Sequence, residues 1–196
     1  MGKIKAIVDA AQILFAEKGY ENTPVSDIAK AAGVAGGTVI YHFKNKENLL
    51  FIVTWRVHYS LFKATLKSLT PARSGLDAAL SFVAAFFEYL RKRAGEFQLI
   101  LKNTAYDTLD VNAFPNADLK LMHLRYLRLL QEGLERGIED GSVRACDPMS
   151  VSHVIYAMLI GAARLHLSHG EDLENLAAES MAFVRARLEN PAPALA

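Results

Sequence analysis

The chain has 196 residues, 52% of them hydrophobic and 22% charged, with a formal net charge of +1. This excludes a disordered chain and leaves room for one or two domains around a substantial core. A single cysteine, Cys146, excludes an internal disulfide framework and suits a reducing compartment, and the near-zero net charge means that any nucleic-acid footprint must be local.

Met1-Gly2-Lys3-Ile4-Lys5 leads into an amphipathic pattern rather than an apolar signal region, so a cytoplasmic protein is expected. Ile4, Ile7, Val8, Ala11, Leu14 and Phe15 recur at helical spacing and predict a first helix over Ile4 to Lys18, stopped by Gly19. Thr23-Pro24 reads as the cap and first position of a second helix whose apolar stripe is Val25, Ile28, Ala29 and Ala32. Gly33 supplies the positive φ that ends it, and Val34 reads as a buried peg in the turn. A third helix from about Ala35 to Phe43 would turn Val39 and Phe43 inward and leave Gly36, Gly37, Ile40 and Tyr41 outside. Two helices on a tight Gly-containing turn form a helix-turn-helix, whose second helix fits the major groove of DNA. Lys3, Lys5, Lys18, Lys30, Lys44 and Lys46 give this end a mild basic excess over Asp9, Glu17, Glu21 and Asp27.

Asn45 reads as the cap of a long helix from Lys46 to about Leu69, with Leu49, Val53, Val57, Leu61 and Ala64 on one side. The remainder is helical without a convincing strand: Leu76 to Arg93, Glu96 to about Leu109, and a long helix capped by Asn116 or Asp118 and running to Asp140. Asp147-Pro148 starts the next helix, closed by Gly170, and Asp172 to Leu188 is the last. The apolar run Val154 to Ala163 stops at Arg164 and is too short to span a bilayer, so no membrane partner is expected.

The stretch D-I-A-x-x-A-G-V-x-x-G-T-x-x-x-H-F-x-x-K-E-x-L, Asp27 to Leu49, together with A-A-x-x-L-F-A-E-K-G-Y, Ala10 to Tyr20, resembles the TetR family of bacterial transcriptional regulators. The resemblance covers about the first quarter of the chain. It implies an all-α homodimer: a DNA-binding head over 1–46, a ligand-binding and dimerisation body over 47–190, and a disordered tail over 191–196. The family's DNA contacts fall here on Ser26, Gly36, Gly37, Thr38, Tyr41, His42 and Lys46, the last a point charge for the DNA backbone. Ile40 is added from its chemistry, since it could touch a thymine methyl. Two departures stand out: Ala35 occupies a place where the family often has Ser, and Ile40 one where an aromatic is common. G-V-A-x-G-T and F-K-N-K-E are also similar to members that respond to fatty acyl-CoA, a likeness confined to the DNA-binding part.

Aromatic and apolar residues at helical spacing, Trp55, Tyr59, Phe62, Phe86, Tyr106, Met122 and Tyr126, suit a cavity for an apolar or amphipathic effector. For any one of them the plain alternative is ordinary core. Ala157 and Gly161 form a small-residue stripe, and with Leu173, Leu176 and Val184 they are the expected interface of a dimer, which the family builds as a four-helix bundle. No catalytic residues, metal or cofactor are expected: His166 and His169 have no evident third ligand, and the carboxylate of Asp147 disfavours a Cys146 thiolate. The expectation is a repressor that binds double-stranded operator DNA and is released by a small molecule. The rival is a helical small-molecule carrier or enzyme that keeps a vestigial helix-turn-helix.

Overall fold

A computed structural model of the protein describes residues 2–102 and 119–190. The described residues form α-helices and no strand: α1 (Gly2–Lys18), α2 (Val25–Ala31), α3 (Gly36–Phe43), α4 (Lys46–Leu69), α5 (Gly75–Lys92), α6 (Ala94–Lys102), α7 (Leu119–Glu139), α8 (Pro148–His169) and α9 (Leu173–Leu188). The expected cap at Asn116 or Asp118, the end of the sixth helix and the tail over 191–196 lie outside the described residues.

The chain divides into two compact units, Met1–Tyr59 with Gly95–Met122, and Ser60–Ala94 with His123–Ala196. The division falls within α4. The reason is that the first turns of α4 belong to the head: Leu49, Val53 and Val57 are buried, and Arg56 reaches α1. Its Nε donates to Gln12 at 2.6 Å, and its guanidinium pairs with Asp9 at 2.5 Å.

In the first unit, α2 packs against both α1 and α3. The buried set is Ile7, Val8, Ala11 and Phe15 of α1, Ile28 and Ala29 of α2, and Val39 and Phe43 of α3. Each large apolar side chain among them contributes about 1.5–3 kcal/mol when fully buried. Three local expectations need correction. Thr23 does not cap α2: its hydroxyl donates backward to the carbonyls of Gly19 (2.7 Å) and Leu14 (3.3 Å), so α2 starts at Val25 without a side-chain cap. Val34 is half-buried rather than a fully enclosed peg. The buried stripe of α4 continues through Thr65 instead of the exposed Ala64: Leu49, Val53, Val57, Leu61 and Thr65 form one unbroken i+4 row, and the i+3 step to Ala64 leaves it.

In the second unit, α9 packs on α5 and α8, and α5 also meets α8. The start of α5 is pressed against α7. A Cβ on Gly75 would lie 2.0 Å from the Gly137 backbone nitrogen, so only glycine permits this crossing. The α5 N-terminus is capped three ways. Ser74 accepts from Asp77 N–H, Asp140 from Gly75 N–H at 2.7 Å, and Ser142 from Leu76 N–H at 3.1 Å. Asp147 caps α8 and Gly170 closes it with φ 75°, as the sequence predicts, while Asp172, expected as the first residue of the last helix, is instead the cap of α9. Asn190 and Arg144 tie the end of α9 to the α7–α8 turn through Ser142 and Leu188.

The apolar run that seemed to stop at Arg164 belongs to one 22-residue helix, α8, which by length and composition alone could cross a membrane. Its ends carry Ser150, His153, Arg164 and His166, and its buried residues are only Ser152, Ile155, Leu159, Ala162 and Ala163. That is the one-sided burial of a helix packed in a protein.

Candidate nucleic-acid interface

The α3 surface is built from its buried side outward. Val39 and Phe43 anchor the helix, and the outer face presents Gly36, Gly37, Ile40 and Tyr41, the last 74% exposed. Ser26 lies exposed on the preceding helix, while Thr38 and His42 are half-buried on α3. Ala35 occupies the N-cap position in an extended conformation (φ −71°, ψ 147°) without a side-chain hydrogen bond, so the first N–H groups of α3 receive no side-chain cap from it. A Cβ added at Gly36 or Gly37 would meet no atom within 4 Å, and neither has positive φ. Nothing among the described residues requires glycine at these positions, although glycine weakens a helix relative to alanine. Two glycines over uncapped N–H groups suit close approach of an external anion such as a phosphate.

The link to α4 is only Lys44 and Asn45. Lys44 is the one non-glycine residue of positive φ among the described residues, at φ 68°, ψ −52°. Asn45 N–H donates across it to the Phe43 carbonyl at 2.8 Å, which makes Lys44 the centre of a γ-turn of the rare, strained hand. Such a conformation costs about 1–3 kcal/mol. Asn45 then caps α4 by accepting from Asn48 N–H at 2.8 Å.

Lys46 is engaged inside the head. Its Nζ donates to the Tyr20 carbonyl at 3.0 Å and stands 4.1 Å from the centre of the Tyr20 ring. Tyr20 is fixed in turn by its hydroxyl bond to Glu47 (2.9 Å) and by Phe15, whose ring centre is 5.5 Å away. Burial, reinforced by the Glu47 carboxylate, pushes the Tyr20 hydroxyl well above its ordinary pKa. The hydrogen bonds from Lys5 and Arg56 hold Asp9 below the usual carboxylate value against the opposing effect of burial. The head is thus pinned by Arg56 and Lys46, two long-range contacts that periodicity does not reveal.

The residues suggested for an effector cavity are spread over both units. Trp55, Tyr59 and Met122 belong to the first, Phe62, Phe86 and Tyr126 to the second, and Tyr106 lies outside the described residues. Within the first unit Trp55 stacks on Tyr59, with centroids 5.2 Å apart and planes at 8°, and packs beside buried Phe51 and Leu119. Within the second, Tyr126 packs 4.7 Å from Phe82 and 6.0 Å from Tyr156, and receives a 3.5 Å bond from Thr65. Tyr156 meets His123 edge-on at 4.9 Å. Burial, then the charge of His153, holds His123 below its ordinary pKa. Tyr156 and His123 were missed because they share no periodic stripe with the aromatic residues singled out in the sequence.

Of the suggested dimer residues, Ala157 and Gly161 are exposed on α8 and Leu176 is half-buried. Leu173 and Val184 are buried within the subunit, 8% and 1% exposed. Val184 floors a groove of about 720 Å³ whose walls include Val151, Val154, Met158, Phe183 and Arg187. Val154 and Phe183, each 64% exposed, were not singled out. Phe183 lies off the apolar stripe of α9, which is the signal that could have found it. His166 faces the Glu171 carbonyl at 2.8 Å, and burial raises the Cys146 thiol above its ordinary pKa, partly offset by Arg187.

The family model described as bacterial regulatory proteins, tetR family, matches residues 7–52, from the first buried turn of α1 into α4. The chain is similar to the fatty acid metabolism regulator protein of Bacillus subtilis (strain 168), 28% identical over 142 residues, which cover 72% of this chain and 71% of that one. Among solved structures it is similar to the TetR family transcriptional regulator PfmR of Thermus thermophilus, with 26% identity, TM-score 0.74, and 93% and 98% of the two chains covered. The transcriptional regulator FadR of Bacillus subtilis, in complex with stearoyl-CoA, shares the fold at 23% identity and TM-score 0.78, over 94% of this chain and 99% of that one. Helix order, the exposed α3 face and the matched head agree: residues 7–52 match the head of the tetR family of bacterial regulatory proteins, and the chain is similar over most of its length to regulators of that family.

Proposed function

We propose that this protein is a homodimeric, cytoplasmic repressor that releases operator DNA when an apolar or amphipathic small molecule binds its helical body. The observation that carries the reading is the outer face of α3: two glycines, Ile40 and Tyr41 exposed on a helix held by buried Val39 and Phe43. Such a face suits major-groove entry with the backbone close to phosphate and Ile40 against a thymine methyl. Dimerisation is supported by the exposed Val154 and Phe183 flanking one groove, an apolar patch of the kind that marks an interface. Two heads would then read two half-sites together. The α4 helix, which passes from the first unit into the second, would carry the effect of ligand to the heads.

The aromatic cluster of Phe82, Tyr126 and Tyr156 within the second unit suits an acyl chain, and the relatives named above make long-chain acyl-CoA the first effector class to test. The test is a gel shift on the DNA upstream of the protein's own coding region, with and without long-chain acyl-CoA. A shift that the acyl-CoA reverses is expected. No shift on that DNA, with the protein folded and dimeric, would overturn the operator reading. A shift untouched by acyl-CoA would overturn that effector class alone.

A further inference from the structure

The outer face of α3 is short of groups that read a base by hydrogen bonds. From Val34 to Phe43 there is no Arg, Lys, Asn, Gln, Asp or Glu, so the helix lacks every side chain that matches a fixed donor and acceptor pattern on one base edge. Gly36 and Gly37 contribute backbone alone. The hydroxyls of exposed Tyr41 and half-buried Thr38 either donate or accept, so they meet the O4 acceptor of thymine and the N4 donor of cytosine equally well. The imidazole of half-buried His42 has the same freedom through its two tautomers. Ile40 remains, 46% exposed and one turn beyond the two glycines. Its β-branched side chain is stiff and leans toward the start of the helix, over a turn whose outer positions carry no Cβ. An aliphatic group standing alone in this way distinguishes bases by the one apolar feature of the major groove, the methyl at C5 of thymine.

We propose that α3 tells pyrimidines apart by the C5-methyl group and not by the hydrogen-bonding edge, with Ile40 as the specificity-determining residue, so that 5-methylcytosine is accepted where thymine is. Both bases carry the methyl at C5. They differ at position 4, where this helix has no group that separates an acceptor from a donor. The paired purine presents N7 in either case. Cytosine and uracil lack the methyl and are disfavoured. Methylation of cytosine at C5 therefore creates sites for this protein instead of blocking them, and its affinity for DNA responds to that modification. This rests on the DNA-binding reading above.

The experiment uses synthetic duplexes of the upstream DNA in which single thymines of the protected region are replaced by uracil, cytosine or 5-methylcytosine, the last two opposite guanine. Affinities are measured for the native protein, Ile40→Ala and Ile40→Val. Ile40 is exposed, so neither variant disturbs the buried side of α3, and melting temperatures check this. Removing one methyl from apolar contact is worth about fourfold in affinity. At the contacted thymine, uracil and cytosine should each weaken native binding by about that factor, and 5-methylcytosine should restore the thymine value. Ile40→Ala should bind every duplex alike, while Ile40→Val, still branched at Cβ, should keep the native order. No loss with uracil at any position would overturn the assignment. So would an equal loss in Ile40→Ala, since DNA shape and not Ile40 would then be read. A 5-methylcytosine duplex as weak as the cytosine one would also overturn it, by showing that the base edge is read. Each of these outcomes leaves DNA binding itself intact, whereas failure of the native protein to bind any duplex would overturn both readings.

Discussion

Replacing Gly36 and Gly37 by alanine should stabilise the protein and weaken its grip on DNA. An added Cβ at either position meets nothing within 4 Å, and neither residue has positive φ, so the change introduces neither clash nor strain. Glycine is about 0.8–1 kcal/mol worse than alanine inside a helix, and somewhat less so in the first turn, where both residues lie. The double variant should therefore gain about 1 kcal/mol, or about 2–4 °C in melting temperature for a chain of this size. DNA binding should move the other way, because each methyl stands between a phosphate and the N–H groups at the start of α3. Losing one hydrogen bond to a charged group costs about 1.5–3 kcal/mol, about 10–150-fold in affinity for each head that engages. Thermal melting and a binding titration on the same preparation provide the measurement. Gly19→Ala, at φ 80°, is the control in which stability should fall, because that glycine is required by its backbone conformation. Unchanged or tighter DNA binding by the stabilised double variant would refute the idea that the α3 backbone closes on phosphate.

Phe183→Glu and Val154→Glu should each dissociate the dimer without unfolding the subunit, since both side chains are exposed in the single chain; sedimentation at several concentrations would show it, and a persistent dimer would place the interface elsewhere. Gly75→Ala should be severely destabilising, above the about 1–3 kcal/mol usual for overpacking, because its methyl meets the α7 backbone at 2.0 Å rather than a side chain that can turn away; denaturant unfolding measures this. Asp140 is held below the usual carboxylate pKa by hydrogen bonds from Ser142 and from the Gly75 N–H. A pKa lowered by folding stabilises above the ordinary carboxylate value and is lost as pH falls from there through the folded-state value. Asp140→Asn should remove that part of the acid sensitivity, which chemical denaturation at pH 3 to 6 on both proteins would reveal.

The sequence by itself determined several features whose cause lies within a turn or two of chain. Gly33 and Gly170 adopt positive φ where a helix had to end, Asp147 and Asn45 cap the helices that follow them, and Val39 and Phe43 face inward because 3.6-residue spacing puts them there. The outer face of α3 followed from the same spacing. Only the tertiary structure decided where hydroxyls and long cationic side chains go, since they have several partners of similar energy. Thr23 turned back to Leu14 and Gly19 instead of capping α2, Lys46 went to Tyr20, and Arg56 crossed to Asp9 and Gln12. It also decided which apolar residues are surplus to the core. Leu173 and Val184 find neighbours within the subunit and Phe183 does not, because burial depends on what packs against a helix face, and the spacing along that helix carries no record of its neighbours.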